Sequence, residues 1–171
     1  MSEPSENLTE TPIGGAIPLA REEVICGFGV REATPVDLCA MLDMAEKFIG
    51  AAWSHIGVPY SPATCATLLA SMIDNSQSLV LVTEDMRGMM GAVVYPWHFN
   101  ADVLTGQELF WWSESRAGME LIATAERWAA AMGAVTFNMA CMDHMRGKAM
   151  SRLYQRRGYS PNEHIFIKGL N

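Results

Sequence analysis

The sequence predicts an α/β fold built on one mixed sheet, and three observations carry that prediction. Short apolar runs and longer stripes of apolar residues three and four apart follow one another as strand, two helices, three strands, helix, strand, helix, strand. Asp85-Met86-Arg87-Gly88 reads as a tight turn between two of the strands, which makes the first half antiparallel. The helix between the fourth and fifth strands reads as a crossover.

In chain order, residues 1–22 are polar and then rich in Gly and Pro, without apolar periodicity, and are expected to form a flexible N-terminal arm. Val24, Ile25, Phe28 and Val30 suggest a first strand over 23–32. Thr34-Pro35 opens a helix as cap and first helical residue, with Leu38, Met41, Leu42, Ala45, Phe48 and Ile49 along one face. Ser61-Pro62 repeats the signal for a helix that buries Leu68, Leu69, Met72 and Ile73. Between them lie Trp53, His55 and Tyr60, amphipathic residues that either line a pocket or plug the core.

Residues 78–84 and the run MMGAVVY are the paired strands. The stretch PWHFNADVLTG then reads as an irregular connection of functional length, carrying His98. A strand from about Gln107 follows, then a helix ending at Gly133 and a strand over 134–140. The last elements are a basic helix over 145–157, stopped by Gly158, and a closing strand HIFIKGL.

Composition narrows the function. Hydrophobic residues make up 50% of the 171 and charged ones 18%, which is a globular chain of one ordinary domain. A net charge of −7 argues against a nucleic-acid surface. Cys26, Cys39, Cys65 and Cys141 lack the close spacing of zinc ligands and read as reduced core residues of a cytoplasmic protein, with no metal site. No stretch approaches the roughly 20 apolar residues of a membrane span, and no secretion signal stands at the start.

The stretch with chemistry in it is Glu108–Ala131: ELFWW, then SESRAG, then MELIATAERWAAA. A strand that empties directly into a helix start presents unpaired N–H groups and the positive end of the helix dipole, a place for a phosphate or pyrophosphate. Trp111 and Trp112 are adjacent on that strand, so one must point to each face.

With the order of elements, this stretch and Leu153-Tyr154-Gln155-Arg156-Arg157-Gly158-Tyr159 together, residues 24–170 resemble the GNAT superfamily of N-acetyltransferases, including members encoded by phages and prophages. The resemblance implies a mostly antiparallel sheet of six to seven strands flanked by about four helices and splayed between the fourth and fifth strands, in one acetyltransferase-like domain over 23–171. It implies that acetyl-CoA lies in the splay, on the backbone of Trp111, Trp112, Ser113, Arg116, Ala117, Gly118 and Met119, with Arg116 reaching the pyrophosphate. Tyr154 matches the family's proton donor to the departing thiolate, and Glu108 the base that takes the amine's proton. The turn departs from the family's pattern: either Ser113 stands in place of Gln or Arg and Arg116 in place of the first glycine, or Arg116 is the pattern's Arg and the turn is shortened.

Read from the residues alone, His98, Trp53 and His144 are candidates for contact with the acceptor. The basic face from Arg146 to Arg157 either meets a CoA phosphate or is simply solvated. The expected reaction is transfer of an acetyl group to a small amine or a peptide or protein amine by direct attack in a ternary complex. The N-terminal arm leaves room for a homodimer. The alternatives are a non-catalytic module of the same fold, such as a phage-particle component or host-protein binder, and an acyl-CoA sensor.

Overall fold

The computed structural model describes residues 28–168 and 170. The expected arm, with Val24, Ile25 and Cys26, lies outside the described residues. Five strands form one sheet in sequential order: β1 (Val30–Glu32), β2 (Ser78–Thr83), β3 (Gly88–Trp97), β4 (Asn100–Ser113) and β5 (Ala134–Asn138). Neighbours are antiparallel except β4 and β5, which are parallel. Four α-helices accompany them: α1 (Leu38–Ala52), α2 (Pro62–Ile73), α3 (Gly118–Ala131) and α4 (Gly147–Arg156).

The sheet is a buried middle layer. Leu79, Leu81, Met90, Ala92 and Val94 face α3, where Leu121, Ile122, Ala125 and Trp128 close the core. Val80, Val82, Met89 and Phe110 face α1 and α2, against Met41, Met44, Ala45, Leu69 and Met72. Period-two alternation in the strands and three-to-four spacing in the helices divide these residues between the two layers. Trp111 packs with the α3 layer and Trp112 with the α1–α2 layer, as their adjacency requires.

Helix entries follow the sequence signals. Ser61 Oγ accepts the Thr64 N–H at 3.3 Å and Pro62 leads α2. Before α1, Thr34 precedes a 3-10 turn, and Asp37 accepts the Thr34 N–H at 2.8 Å and both Arg31 nitrogens at 2.8 and 2.7 Å. These bonds hold the buried Asp37 well below the usual carboxylate range, the Arg31 contact foremost.

Four expectations are corrected. The connection through His98 is a tight hairpin, because β3 runs on to Trp97 and β4 starts at Asn100. Pro96 and Trp97 continue the extended backbone through a register shift that residue type does not announce. The described residues hold five strands and not six to seven, since the described residues of HIFIKGL join no ladder and Ile165 and Phe166 are exposed at 83% and 93%. An apolar pattern signals extended backbone but supplies no pairing partner. Cys39 and Cys141 are exposed and Cys65 only half buried, so none is a core residue. Leu68, expected in the buried stripe of α2, is 48% exposed beside a cavity described below.

Candidate active site

The site starts from an irregularity in β4. Across from β3, Phe110 pairs with Gly91 but Glu108 pairs with Ala92, so Leu109 is an extra residue, a β-bulge. The bulge reverses the alternation: Glu108 points to the α3–α4 face, while Phe110 points to the α1–α2 face. Gly91 makes this possible, because a Cβ there would stand 2.3 Å from the Phe110 ring. β5 pairs with β4 only over Leu104–Gln107, and beyond that point β4 runs on beside β3 alone. One backbone edge of Glu108–Ser113 is therefore left without a strand partner, and the two strands fork at Glu108.

At the fork, two side chains meet on one residue. Ala140, two residues past the end of β5, donates its N–H to Glu108 Oε2 at 3.0 Å, and its carbonyl accepts the Tyr154 hydroxyl at 3.1 Å. Glu108 is 7% exposed, and burial pushes its carboxyl up to about 7 against the opposing effect of the Ala140 bond. The Tyr154 phenol is raised well above its ordinary range, first by burial and then by the nearby Glu108 carboxylate. The arrangement thus sets a carboxyl that titrates near neutrality beside a phenol that stays protonated.

The motif around Tyr154 positions it. Gly158 adopts φ +94° and ends α4 with a Schellman pair, its N–H bonded to the Gln155 carbonyl and that of Tyr159 to the Tyr154 carbonyl, both at 3.0 Å. Glu126 on α3 accepts Arg157 at 2.6 Å and the Tyr159 hydroxyl at 2.7 Å. The helix carrying Tyr154 is therefore pinned to α3 at its C-terminal end. Of the basic residues from Arg146 to Arg157, Arg157 is spent on this pin, while Arg152 and Arg156 remain exposed.

The turn from Ser113 to Gly118 is partly satisfied by itself. Ser115 Oγ accepts the Ala117 N–H at 3.2 Å, Ser115 O accepts Gly118 N–H at 3.3 Å, and Ser113 Oγ accepts the Ser115 N–H at 3.1 Å. Gly118 is needed for packing, since a Cβ there would meet Ser113 Oγ at 2.4 Å. The backbone N–H groups of Arg116 and Met119 have no partner among the described residues, and the exposed Arg116 guanidinium is equally free. Those two amides, the Arg116 side chain and the unpaired edge of Leu109–Trp112 are the groups here that could hold a pyrophosphate and an extended amide chain. The indole N–H groups of Trp111 and Trp112 are buried without a partner among the described residues.

Of the residues expected at the acceptor, Trp53 and His144 come to the same end of α1 and His98 does not. Trp53, at the end of α1, lines a cavity of about 620 Å³ between α1, α2 and the β3–β4 face. His144 lies across from it: its Nε2 contacts the Ala52 carbonyl at 2.9 Å and its ring packs 4.2 Å from that of His55. His98 instead sits at the tip of the β3–β4 hairpin beside Tyr95, six residues along the chain from Ala92, the strand partner of Glu108, a run of about 20 Å at 3.3 Å per residue. Sequence reasoning did not find the main chain of Ala140 or the bulged Leu109, and it named His55 without its contact to His144. Gly91, opposite an aromatic residue on the next strand, was the one available signal for the bulge.

No family model matches the sequence, and no curated protein matches it. Solved structures do match. A transcriptional regulator from Bacillus halodurans C-125 superimposes with a TM-score of 0.65 at 18% identity, over 82% of this chain and 98% of that one. The aminoglycoside antibiotic 6'-N-acetyltransferase AAC(6')-IG from Acinetobacter haemolyticus does so with 0.58 at 17%, over 83% and 99%. AAC(6')-Iy, seen in complex with the bisubstrate analog CoA-S-monomethyl-acetylneamine, gives 0.61 at 11%, over 83% and 97%. At such identities the likeness is one of fold, and the chain has the mixed α/β fold of the GNAT acetyltransferases, with five strands and four helices among the described residues.

Proposed function

We propose that the chain is an N-acetyltransferase that moves an acetyl group from acetyl-CoA to a primary amine by direct attack in a ternary complex. The observation that carries this reading is the convergence of Glu108 and Tyr154 on Ala140 at the fork of β4 and β5. A chain of the same fold binds a bisubstrate analog built on CoA, which supports the same ligand here.

Each residue has a task that its surroundings favour. The backbone amides of Arg116 and Met119 and the Arg116 guanidinium hold the pyrophosphate, and the open edge of Leu109–Trp112 aligns the arm that ends in the thioester. When bound, acetyl-CoA supplies an activated acyl carbon and a thiol leaving group. Glu108, with a pKa of about 7, takes the proton that an arriving ammonium must lose, directly or through water. Tyr154 stays a phenol at any working pH and has a proton to give to the departing sulfur, provided its bond to the Ala140 carbonyl is exchanged for that contact. As the nitrogen–carbon bond forms, the carbon–sulfur bond breaks and CoA leaves as its thiol.

Thermal melting with and without acetyl-CoA tests the binding half. A ligand held only by the native state at a hundredfold over its Kd adds about 2.7 kcal/mol, and an unchanged melt at millimolar acetyl-CoA overturns the proposal. Thiol release with a panel of primary amines tests the chemical half. Glu108→Gln is expected to lower turnover by about 10²–10⁴-fold, and Tyr154→Phe to lower kcat while leaving the melt shift in place. A melt shift with no thiol release from any amine would make the chain an acyl-CoA sensor.

A further inference from the structure

The cavity between α1, α2 and the sheet has a composition unlike that of a polyamine or sugar site. Its volume of about 620 Å³ suits a small organic molecule. None of its lining residues is Asp, Glu, Lys, Arg or His. Phe48, Ile49, Trp53, Leu68, Leu109 and Phe110 give it an almost wholly apolar wall. The Tyr60 hydroxyl is turned to the Leu42 carbonyl at 3.4 Å. A ligand carrying several ammonium or hydroxyl groups would lose their hydration here and find no charged partner in return.

The cavity also touches the proposed chemistry. Leu109, the bulged residue, lines it, and the next residue back along β4 is Glu108 on the other face of the sheet. Their Cα atoms stand about 3.8 Å apart, the trans-peptide spacing. The sheet is open at that point, because β5 has already left β4 at Gln107. A molecule with an apolar body in the cavity can therefore pass a single polar end through the fork to the carboxyl. The acidic chain, at net −7, favours approach of a monocation.

We infer that the acceptor is an alkylamine or arylalkylamine, its hydrocarbon body in this cavity and its one amine at Glu108. This rests on the acetyl-transfer reading above and adds the substrate class to it. The amine gives up two protons overall, one on deprotonation of the ammonium and one on forming the amide. Its nitrogen bonds to the acetyl carbon, and CoA leaves as the thiol with one of those protons.

The test is a homologous series from butylamine to octylamine, with neamine and glucosamine 6-phosphate as polar amines, read in two ways. Binding is followed without acetyl-CoA by Trp fluorescence and by calorimetry, and turnover by thiol release. Both affinity and kcat/KM are expected to rise about three- to fourfold per added methylene, the ratio for burying one CH₂, until the cavity is full. Thr64→Trp, at an exposed position on the rim, and Leu68→Arg, at a half-exposed one, are each expected to flatten the series. Both should keep the melting shift with acetyl-CoA, so that either serves if the other does not fold.

A flat series with turnover of the polar amines overturns the inference and leaves acetyl transfer intact. Affinity that climbs with chain length without thiol release overturns the acceptor role and acetyl transfer together, while the cavity's taste for hydrocarbon stands. Chain-length dependence in the thioester, with octanoyl-CoA used better than acetyl-CoA and amine length without effect, assigns the cavity to the acyl chain and overturns the inference.

Discussion

Glu108→Gln is the substitution with the most to say, because its effect on stability has a definite sign that does not depend on knowing the substrate. Burial raises the carboxyl from an ordinary 4.5 to about 7 in the folded chain. Between those values the native state keeps a proton that the unfolded chain has released. Stability therefore falls as pH rises through that window, with a slope of up to about 1.4 kcal/mol per pH unit, and levels off above pH 7. The accumulated difference is about 3 kcal/mol. Glutamine keeps the shape and a carbonyl that can accept the Ala140 N–H, but carries no titratable proton.

The wild type and Glu108→Gln should thus be alike near pH 4.5, and the variant should gain about 3 kcal/mol relative to the wild type by pH 8. Urea denaturation of both proteins at half-unit intervals from pH 4.5 to 8, with midpoint and slope fitted separately, measures the difference. Carboxylates elsewhere cancel in that comparison. If the two stabilities run parallel across the whole range, Glu108 is not the buried neutral group described, and its suitability as a base near pH 7 falls with it.

Three further substitutions test the frame around the site. Gly158→Ala forces a side chain into φ +94° and should cost about 1 kcal/mol by urea denaturation; a neutral result would mean that α4 ends differently. Asp37→Asn removes the charge and one of the two oxygens that accept the Arg31 nitrogens, and should cost about 2–3 kcal/mol at pH 7. Because Asp37 titrates below its ordinary 3.8, that contribution is present above this value and is lost as pH falls through the lower folded one, so the two proteins should converge in acid. Gly91→Ala sets a Cβ 2.3 Å from the Phe110 ring and should cost about 1–3 kcal/mol, while altering the alkylamine series through the displaced ring.

Much of the frame was legible because it rests on local rules. Thr34-Pro35 and Ser61-Pro62 opened helices where expected, the Asp85–Gly88 turn joined two strands, and Gly133 and Gly158 ended two helices with positive φ. The motif around Tyr154 led to a buried phenol pinned through Arg157 and Tyr159. The connection at His98 failed as a reading because β-strand length is set by the partner strand: ten residues of β3 hold β4 extended through a stretch with no strand pattern of its own.

The sequence by itself determined the order of elements as far as the helix that carries Tyr154, the opposite faces of Trp111 and Trp112, and the place where a helix start would present free amides. Those follow from backbone sterics and periodicity, which act over a few residues. The tertiary structure alone decided that Leu109 is bulged and that β5 leaves β4 at Gln107. It alone brought Glu108 and Tyr154, 46 positions apart, to the two sides of Ala140. A bulge is a mismatch between two strands and a raised carboxyl pKa is a sum over surrounding atoms, so neither is a property of any short stretch of chain.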